Sequence, residues 1–244
     1  MPVLTSLQNP AVKLVRSLAD KKHRKDRGLF VAEGHQVLER ARQEGWEPTQ
    51  VFSTKAPEDW GKAERFTVDQ RVMAALSSQD NPLEELAVFR QRWVAAKPKG
   101  LWVALEDMRD PGNLGTIIRT ADAAGAAGVI LAGQSCDPWG PDCIRATMGS
   151  IFGMPLVRMA TTELMSLCKT WPGDVVGTHL AGKTSHRRAY AADTLLVMGS
   201  EGSGLSPALS KACKTLVRIP MPGKAESLNV AIATGIMLFE AVKS

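Results

Sequence analysis

Short runs of apolar residues in the second half of the chain limit what it can fold into. Leu101-Trp102-Val103-Ala104-Leu105 is uninterrupted by any polar side chain, as in a strand buried on both faces of a parallel sheet. Val129-Ile130-Leu131-Ala132, Pro155-Leu156-Val157, Val175 to Thr178, Thr194 to Met198 and Leu216 to Ile219 read as further strands. Helical stretches lie between and after them. These are Asn113 to about Ala124, Asp142 to Ser150, Thr162 to Lys169, Pro207 to Ala212 and Leu228 to Val242, with Asn113 as a capping residue. Strands alternating with helices predict an α/β fold with a mostly parallel sheet, whose loops at the strand C-termini can hold a ligand.

The first part of the chain reads as a separate small α/β domain. Asn9 to Ala19 has helical spacing, Leu29 to Ala32 a strand pattern, and His35 to Gln43 is helical again. Short strands follow at Gln50-Val51-Phe52, Arg65 to Val68 and Val88-Phe89-Arg90, with a helix from Asp69, its N-cap, to Leu76. Ala95-Ala96-Lys97-Pro98-Lys99-Gly100 is a linker by its Pro and Gly. The expected domains are therefore residues 1–96 and 101–244.

Charge is uneven between them. Residues 1–100 hold 17 basic and 13 acidic side chains, which is most of the chain's +5 excess. The densest stretch is Lys21-Lys22-His23-Arg24-Lys25-Asp26-Arg27. Two readings fit it: a contact with a nucleic-acid phosphate backbone, or a solvated loop between two helices.

At 44% hydrophobic and 23% charged, the 244 residues suit a globular protein with a sizeable core. Four cysteines without a C-x-x-C pair argue against a zinc ribbon or a disulfide framework and suit a reducing compartment. The first twenty residues lack the apolar core of a signal peptide, and no apolar run reaches the roughly 18 residues of a membrane span. The expectation is a soluble, cytoplasmic protein.

Three loops stand out. The first is Asn113 to Ala121, where Asn113 and Arg119 can face the same end of the sheet. The second is Met198-Gly199-Ser200-Glu201-Gly202-Ser203-Gly204-Leu205, with three glycines in six residues after an apolar strand and one carboxylate inside. Its glycine order, G-x-x-G-x-G, does not match the dinucleotide fingerprint. The third is Ile219 to Val230, stiffened by Pro220 and Pro222, where Ser227 or Asn229 opens the last helix. That helix is apolar all round, which predicts burial on every side and suggests a partner subunit. Gly177 to Thr184 spells G-x-x-x-x-G-K-T, the nucleotide-binding P-loop pattern. A working P-loop needs a substantial helix after the Lys-Thr pair. The residues that follow are too few and too polar, so a strand and a loose loop are expected instead.

Taken together and in order, N-x-G-x-x-x-R-T-A, M-G-S-E-G-x-G-L and I-P-M-x-G-x-x-x-S-L-N-V-A resemble the three motifs of the SpoU (TrmH-type) RNA 2′-O-ribose methyltransferases of the SPOUT superfamily. The likeness covers about Leu101 to Val242, and the third motif is the most specific. Phe30-Val31-Ala32-Glu33-Gly34 carries a looser likeness to the substrate-binding domain that precedes many rRNA-modifying members.

The resemblance implies an RNA methyltransferase acting on a ribose 2′-hydroxyl, in ribosomal RNA by the separate basic domain. A tRNA enzyme, or a non-catalytic RNA-binding protein of the same fold, is the alternative. It further implies a C-terminal trefoil knot, a homodimer with the site near the subunit interface, and S-adenosylmethionine held at Thr178, Gly199, Ile219 and Leu228 without metal. Arg119 is the residue proposed in the family to activate the hydroxyl. An arginine normally stays protonated, so binding the neighbouring phosphate and stabilising an alkoxide is the other role open to it. Asn113, Glu201, Ser227 and Asn229 match the remaining polar positions and are expected to orient Arg119, the loops and the ribose. Lys21, Lys22, Arg24, Lys25 and Arg27 are expected to bind RNA.

Overall fold

The computed structural model describes residues 3–243. In chain order the elements are α1 (Pro10–Ser17), α2 (Lys21–Arg27), β1 (Leu29–Glu33), α3 (His35–Gln43), β2 (Gln50–Ser53), β3 (Glu64–Thr67), α4 (Gln70–Leu76) and β4 (Glu85–Arg90). They continue with β5 (Trp102–Glu106), α5 (Pro111–Ala123), β6 (Gly128–Ala132), α6 (Pro141–Thr147), β7 (Leu156–Met159), α7 (Thr161–Thr170) and β8 (Asp174–Thr178). The last are β9 (Thr184–Ser185), β10 (Thr194–Met198), α8 (Pro207–Ala212), β11 (Thr215–Arg218) and α9 (Val230–Ala241). Two compact units result: residues 1–92 with 137–153, and residues 93–136 with 154–244. The segment holding α6 thus packs with the first unit although it lies beyond the linker in sequence.

The first unit is a four-stranded sheet in the order β1-β4-β2-β3, antiparallel except for β2 and β3. Val12, Val15, Val72 and Met73 of α1 and α4 pack on Phe52, Leu86 and Val88 of the sheet. A separate group of aromatic rings joins Phe30 and Phe89 of the strands to Trp46, Trp139 and Phe152, with Phe30 and Trp139 centred 4.7 Å apart. Trp139 and Phe152 belong to the 137–153 segment, which explains why that segment groups with this unit. Trp46 also donates its indole N–H to the Phe152 carbonyl at 2.8 Å.

The second unit is a seven-stranded sheet in the order β7-β6-β5-β10-β8-β11-β9, and every strand pair in it is parallel. Trp102, Ala104, Leu195 and Val197 pack on one side against Leu164, Cys168 and Leu209 of α7 and α8. Side chains alternate along a strand, so Val103 and Leu105 point to the other face, where α5 lies along β6 and α9 along β10. Register lines up the strand ends: Leu105 sits opposite Met198, Val197 opposite Gly177, and Thr178 opposite Val217. The loops after β5, β8, β10 and β11 therefore leave from one edge of the sheet.

Within one chain α9 is only partly buried. Val230, Ala231, Met237 and Leu238 are buried, but Ile232 is 56% and Phe239 46% exposed. The buried side of α9 meets α5 and β10, and the cover expected for the other side is a partner subunit.

Candidate active site

The first motif sits on α5. Asp110, not Asn113, is its N-cap: Asp110 accepts a hydrogen bond from the Asn113 N–H at 2.6 Å, and Pro111 occupies the first helical position. That corrects the reading of Asn113 as a cap and leaves its side chain free for other contacts.

The second motif is a tight loop after β10. Ser200 and Gly204 exchange backbone hydrogen bonds at 3.2 and 3.1 Å, and the Ser200 and Ser203 hydroxyls lie 2.8 Å apart. A Cβ on Gly199 would fall 1.9 Å from the Gly204 carbonyl carbon, so only glycine allows this approach. Glu201 projects from the exposed tip.

The third motif ends at Asn229, the N-cap of α9. Its Oδ1 accepts from the Ala231 and Ile232 amides at 2.9 and 3.3 Å. Its Nδ2 donates to Asn113 Oδ1 at 3.0 Å, and Asn113 Nδ2 donates to Glu201 Oε1 at 2.7 Å. One residue from each motif thus joins a single hydrogen-bonded chain across the strand C-termini.

The remaining predicted positions stand around this chain. Arg119 is exposed on α5 and forms no ion pair or side-chain hydrogen bond among the described residues. Six residues beyond Asn113, it lies about 9 Å along the helix and about 120° around it. Ser227 is exposed and stays outside the chain. The Thr178 hydroxyl donates to the Met198 sulfur at 3.4 Å, which ties the ends of β8 and β10 together. Ile219 and Leu228 bound a segment, residues 219–228, that makes no hydrogen bond to any other described residue.

Sequence reasoning missed the carboxylate of Glu106, buried at the end of β5, which accepts from the Ser206 N–H at 2.8 Å and holds the far side of the Gly199–Leu205 loop. An acid closing an apolar strand was the available signal. The P-loop pattern leads into the two-residue strand β9 rather than a helix. The residues after β9 are not loose either: Tyr190 Oη donates to the His186 carbonyl at 2.6 Å, and Arg188 binds Asp174 at 3.0 Å.

In the first unit the basic run forms helix α2, capped by Asp20 and closed by Gly28 in the left-handed region. Arg24 is corrected from an RNA contact to a structural residue. It is 5% exposed, its Nε donates to Asp137 at 2.8 Å, and its Nη1 donates to the Leu18 and Ala19 carbonyls, both at 2.8 Å. Lys21, Lys22, Lys25 and Arg27 remain exposed. This unit also contains a cleft of about 870 Å³ lined by Val15, Glu33, Trp139 and Ile144, and none of the three motifs reaches it. No group of three or more His, Cys, Asp or Glu side chains among the described residues could hold a metal, and no described helix is long and apolar enough to cross a membrane.

Fold and site together define an α/β protein whose polar residues converge from loops at the C-terminal ends of parallel strands, the usual ligand position in such sheets. Residues 100–239 match the model of the SpoU rRNA Methylase family, and the chain belongs to that family. Residues 9–87 match the MRM3-like substrate binding domain. The chain is 34% identical to a tRNA/rRNA methyltransferase of Synechocystis sp. over 98% of its own length and 92% of the relative's. It is 28% identical to the 23S rRNA (guanosine(2553)-2′-O)-methyltransferase RlmP of Bacillus subtilis, with 98% of each chain covered. The AdoMet-bound rRNA methyltransferase of Sinorhizobium meliloti superposes with a TM-score of 0.92 at 40% identity, covering 99% of this chain and 97% of that one.

Proposed function

We propose that the chain transfers the methyl group of S-adenosylmethionine to a ribose 2′-hydroxyl of ribosomal RNA. The observation that carries this reading is the Asn229–Asn113–Glu201 hydrogen-bonded chain, which joins the three motifs at one edge of the sheet. The relatives' rRNA substrates and the N-terminal match to a substrate-binding domain support ribosomal over transfer RNA.

The loops suit the cofactor. Unpaired backbone along residues 219–228 offers amides and carbonyls to an adenine edge, and the close approach at Gly199 keeps side chains out of the way. Thr178, Gly199, Ile219 and Leu228 hold S-adenosylmethionine, which supplies a methyl group already activated by sulfonium charge.

The chain's remaining task is to present a poorly acidic hydroxyl in line and favour its ionisation. Arg119 is solvent-exposed and acts as a cation that stabilises the developing alkoxide and binds the adjacent phosphate. Asn113, Glu201 and Asn229 hold the α5 terminus and the glycine loop in register, and Ser227 lies beside them to meet the ribose.

A second copy of the chain covers the line Ile232, Phe239 and Val242, three exposed apolar residues at helical spacing along α9 and its C-cap. The C-terminal segment forms the trefoil knot of the family, a reading supported by α9 returning to pack on β10 and α5. Residues 1–96 bind RNA, with Lys21, Lys22, Lys25 and Arg27 on its phosphates, and residues 101–244 carry catalysis. The setting is the cytoplasm, where a bacterial ribosomal RNA substrate is found.

The test is methyl incorporation from labelled S-adenosylmethionine into fragments of 23S rRNA and into tRNA, scored as linkages that resist alkali because the 2′-oxygen is blocked. Wild-type chain modifies a ribosomal fragment. Arg119→Ala loses about 10²–10³-fold in turnover, as for removal of an oxyanion donor, and binds the cofactor normally. Modification of tRNA alone, no incorporation, or near-normal turnover by Arg119→Ala overturns the assignment.

A further inference from the structure

Three cations at the edge of the seven-stranded sheet have no part in the chemistry above. β9 is the edge strand and pairs only with β11, Thr184 opposite Val217 and Ser185 opposite Arg218. His186 N–H donates to the Arg218 carbonyl at 3.2 Å, extending this pairing by one residue. Because the strands run parallel, Arg187 leaves β9 at the same edge at which Arg218 leads into Ile219 and the 219–228 segment. Lys183 stands just before β9.

Lys183, Arg187 and Arg218 are all exposed, and none of their side chains makes an ion pair or hydrogen bond among the described residues. The stretch from Lys183 to Arg188 contains no acid. The Asp174 carboxylate is taken by Arg188 and the Ala191 N–H.

The display is also anchored. His186 is 5% exposed, the Arg187 N–H donates to Ser185 Oγ at 3.2 Å, and Tyr190 Oη holds the His186 carbonyl. A cation on a fixed backbone loses less freedom on meeting an anion than one on a mobile loop.

We propose that Arg187 and Arg218, with Lys183 beside them, bind phosphates of the RNA strand that flanks the target ribose. The inference rests on the RNA methyltransferase reading and deepens it. A run of unpaired cations beside the cofactor segment matches the linear charge of a polynucleotide better than a neutral partner surface, and arginine suits phosphate through its planar pair of donors. These are positioning residues: they hold the strand and do not touch the reacting atoms.

The experiment uses the full chain and a 23S rRNA fragment that the wild type methylates. Affinity for single-stranded RNA falls with salt by about 0.7 log units per log unit for each phosphate contact. Arg187→Gln with Arg218→Gln should flatten that slope by about 1.4, with the defect in KM for RNA and not in S-adenosylmethionine affinity. Arg187→Lys with Arg218→Lys should restore most of the slope. Each single glutamine variant should flatten it by about 0.7, so a double variant that fails to fold leaves the measurement standing. A wild-type slope and affinity in the glutamine variants overturns the proposal. So does normal binding of the RNA fragment with lost binding of the intact ribosomal particle, which would assign the edge to a protein. Failure of the wild type to methylate any RNA would instead count against the underlying activity.

Discussion

Asn113 and Asn229, 116 residues apart, are joined by a hydrogen bond of 3.0 Å whose direction is set by a helix. The first amides of α9 need an acceptor, so Asn229 must turn Oδ1 toward Ala231 and Ile232. Its Nδ2 is then obliged to face Asn113 Oδ1, and Asn113 Nδ2 is left for the Glu201 carboxylate. A capping requirement at one end of the chain thus decides which way a side chain in the first motif points.

Asn229 therefore has separable duties. Asn229→Asp keeps a good cap, so stability should stay within about 0.5 kcal/mol of wild type. It loses the donor to Asn113 and sets a carboxylate against Asn113 Oδ1, so kcat should fall about tenfold or more. Asn229→Ala should lose activity and also about 0.5–2 kcal/mol of stability with the cap. Urea unfolding beside a methylation assay separates the two, and wild-type kcat in Asn229→Asp would show that the chain is not needed for turnover.

Two of the three glycines of the second motif, Gly199 and Gly202, should respond oppositely. A Cβ at Gly199 would collide with the Gly204 backbone at 1.9 Å, whereas at Gly202 nothing lies within 4 Å. Gly199→Ala should cost about 1–3 kcal/mol, the range for overpacking, and abolish cofactor binding. Gly202→Ala should bind the cofactor like wild type. Calorimetry on both variants checks this, and equal binding by the two would remove close approach as the reason for Gly199.

Within α2, neighbouring cations should behave differently. Arg24 is buried against Asp137 and two carbonyls, so Arg24→Ala should destabilise the chain by about 3–5 kcal/mol, as for breaking a buried ion pair. Replacing Lys21, Lys22 and Lys25 together by alanine should leave stability within about 1 kcal/mol, since surface changes are usually small. That triple variant should flatten the salt dependence of RNA binding by about two units, at roughly 0.7 per contact. An unchanged slope would return α2 to a merely solvated helix.

The thiols give a pH dependence. Burial raises Cys168 to about 11 and Cys213 to about 12 from 9.0, and Cys213 is raised further by its neighbours Cys168 and Glu106. Above pH 9 the unfolded chain loses these protons before the folded one does. Their contribution to stability is therefore complete below pH 9 and is lost as pH rises through about 11 and 12. Urea midpoints measured from pH 8 to 11 should fall less steeply in Cys213→Ala than in wild type. A thiol reagent at pH 8 should leave Cys168, 1% exposed, unmodified until the chain unfolds, and rapid native-state labelling of Cys168 would contradict its burial.

Much of the fold was legible because it is written in local patterns. Uninterrupted apolar runs marked the buried strands β5, β6 and β10, and their alternation with helices marked the parallel sheet. The P-loop pattern was rightly set aside, since the residues after Lys183 could not make a helix and instead form β9. The three motifs were readable as residues in order, but their contacts were not, because those depend on which strand ends lie side by side.

Local periodicity and motif order by themselves determined the α/β class, the strand positions and the family resemblance, since each depends on residues close in sequence. Tertiary structure alone decided that Asn113 reaches Glu201 and Asn229, that Arg24 is buried while Lys25 is exposed, and that α9 leaves Ile232 and Phe239 uncovered within one chain. The segment 137–153 joins the first unit for the same kind of reason. Each of these follows from contacts between residues far apart in the chain. A hydrogen bond or a buried face exists only once strand pairing has brought its two halves together, and in a parallel sheet that pairing joins segments separated by long crossover connections.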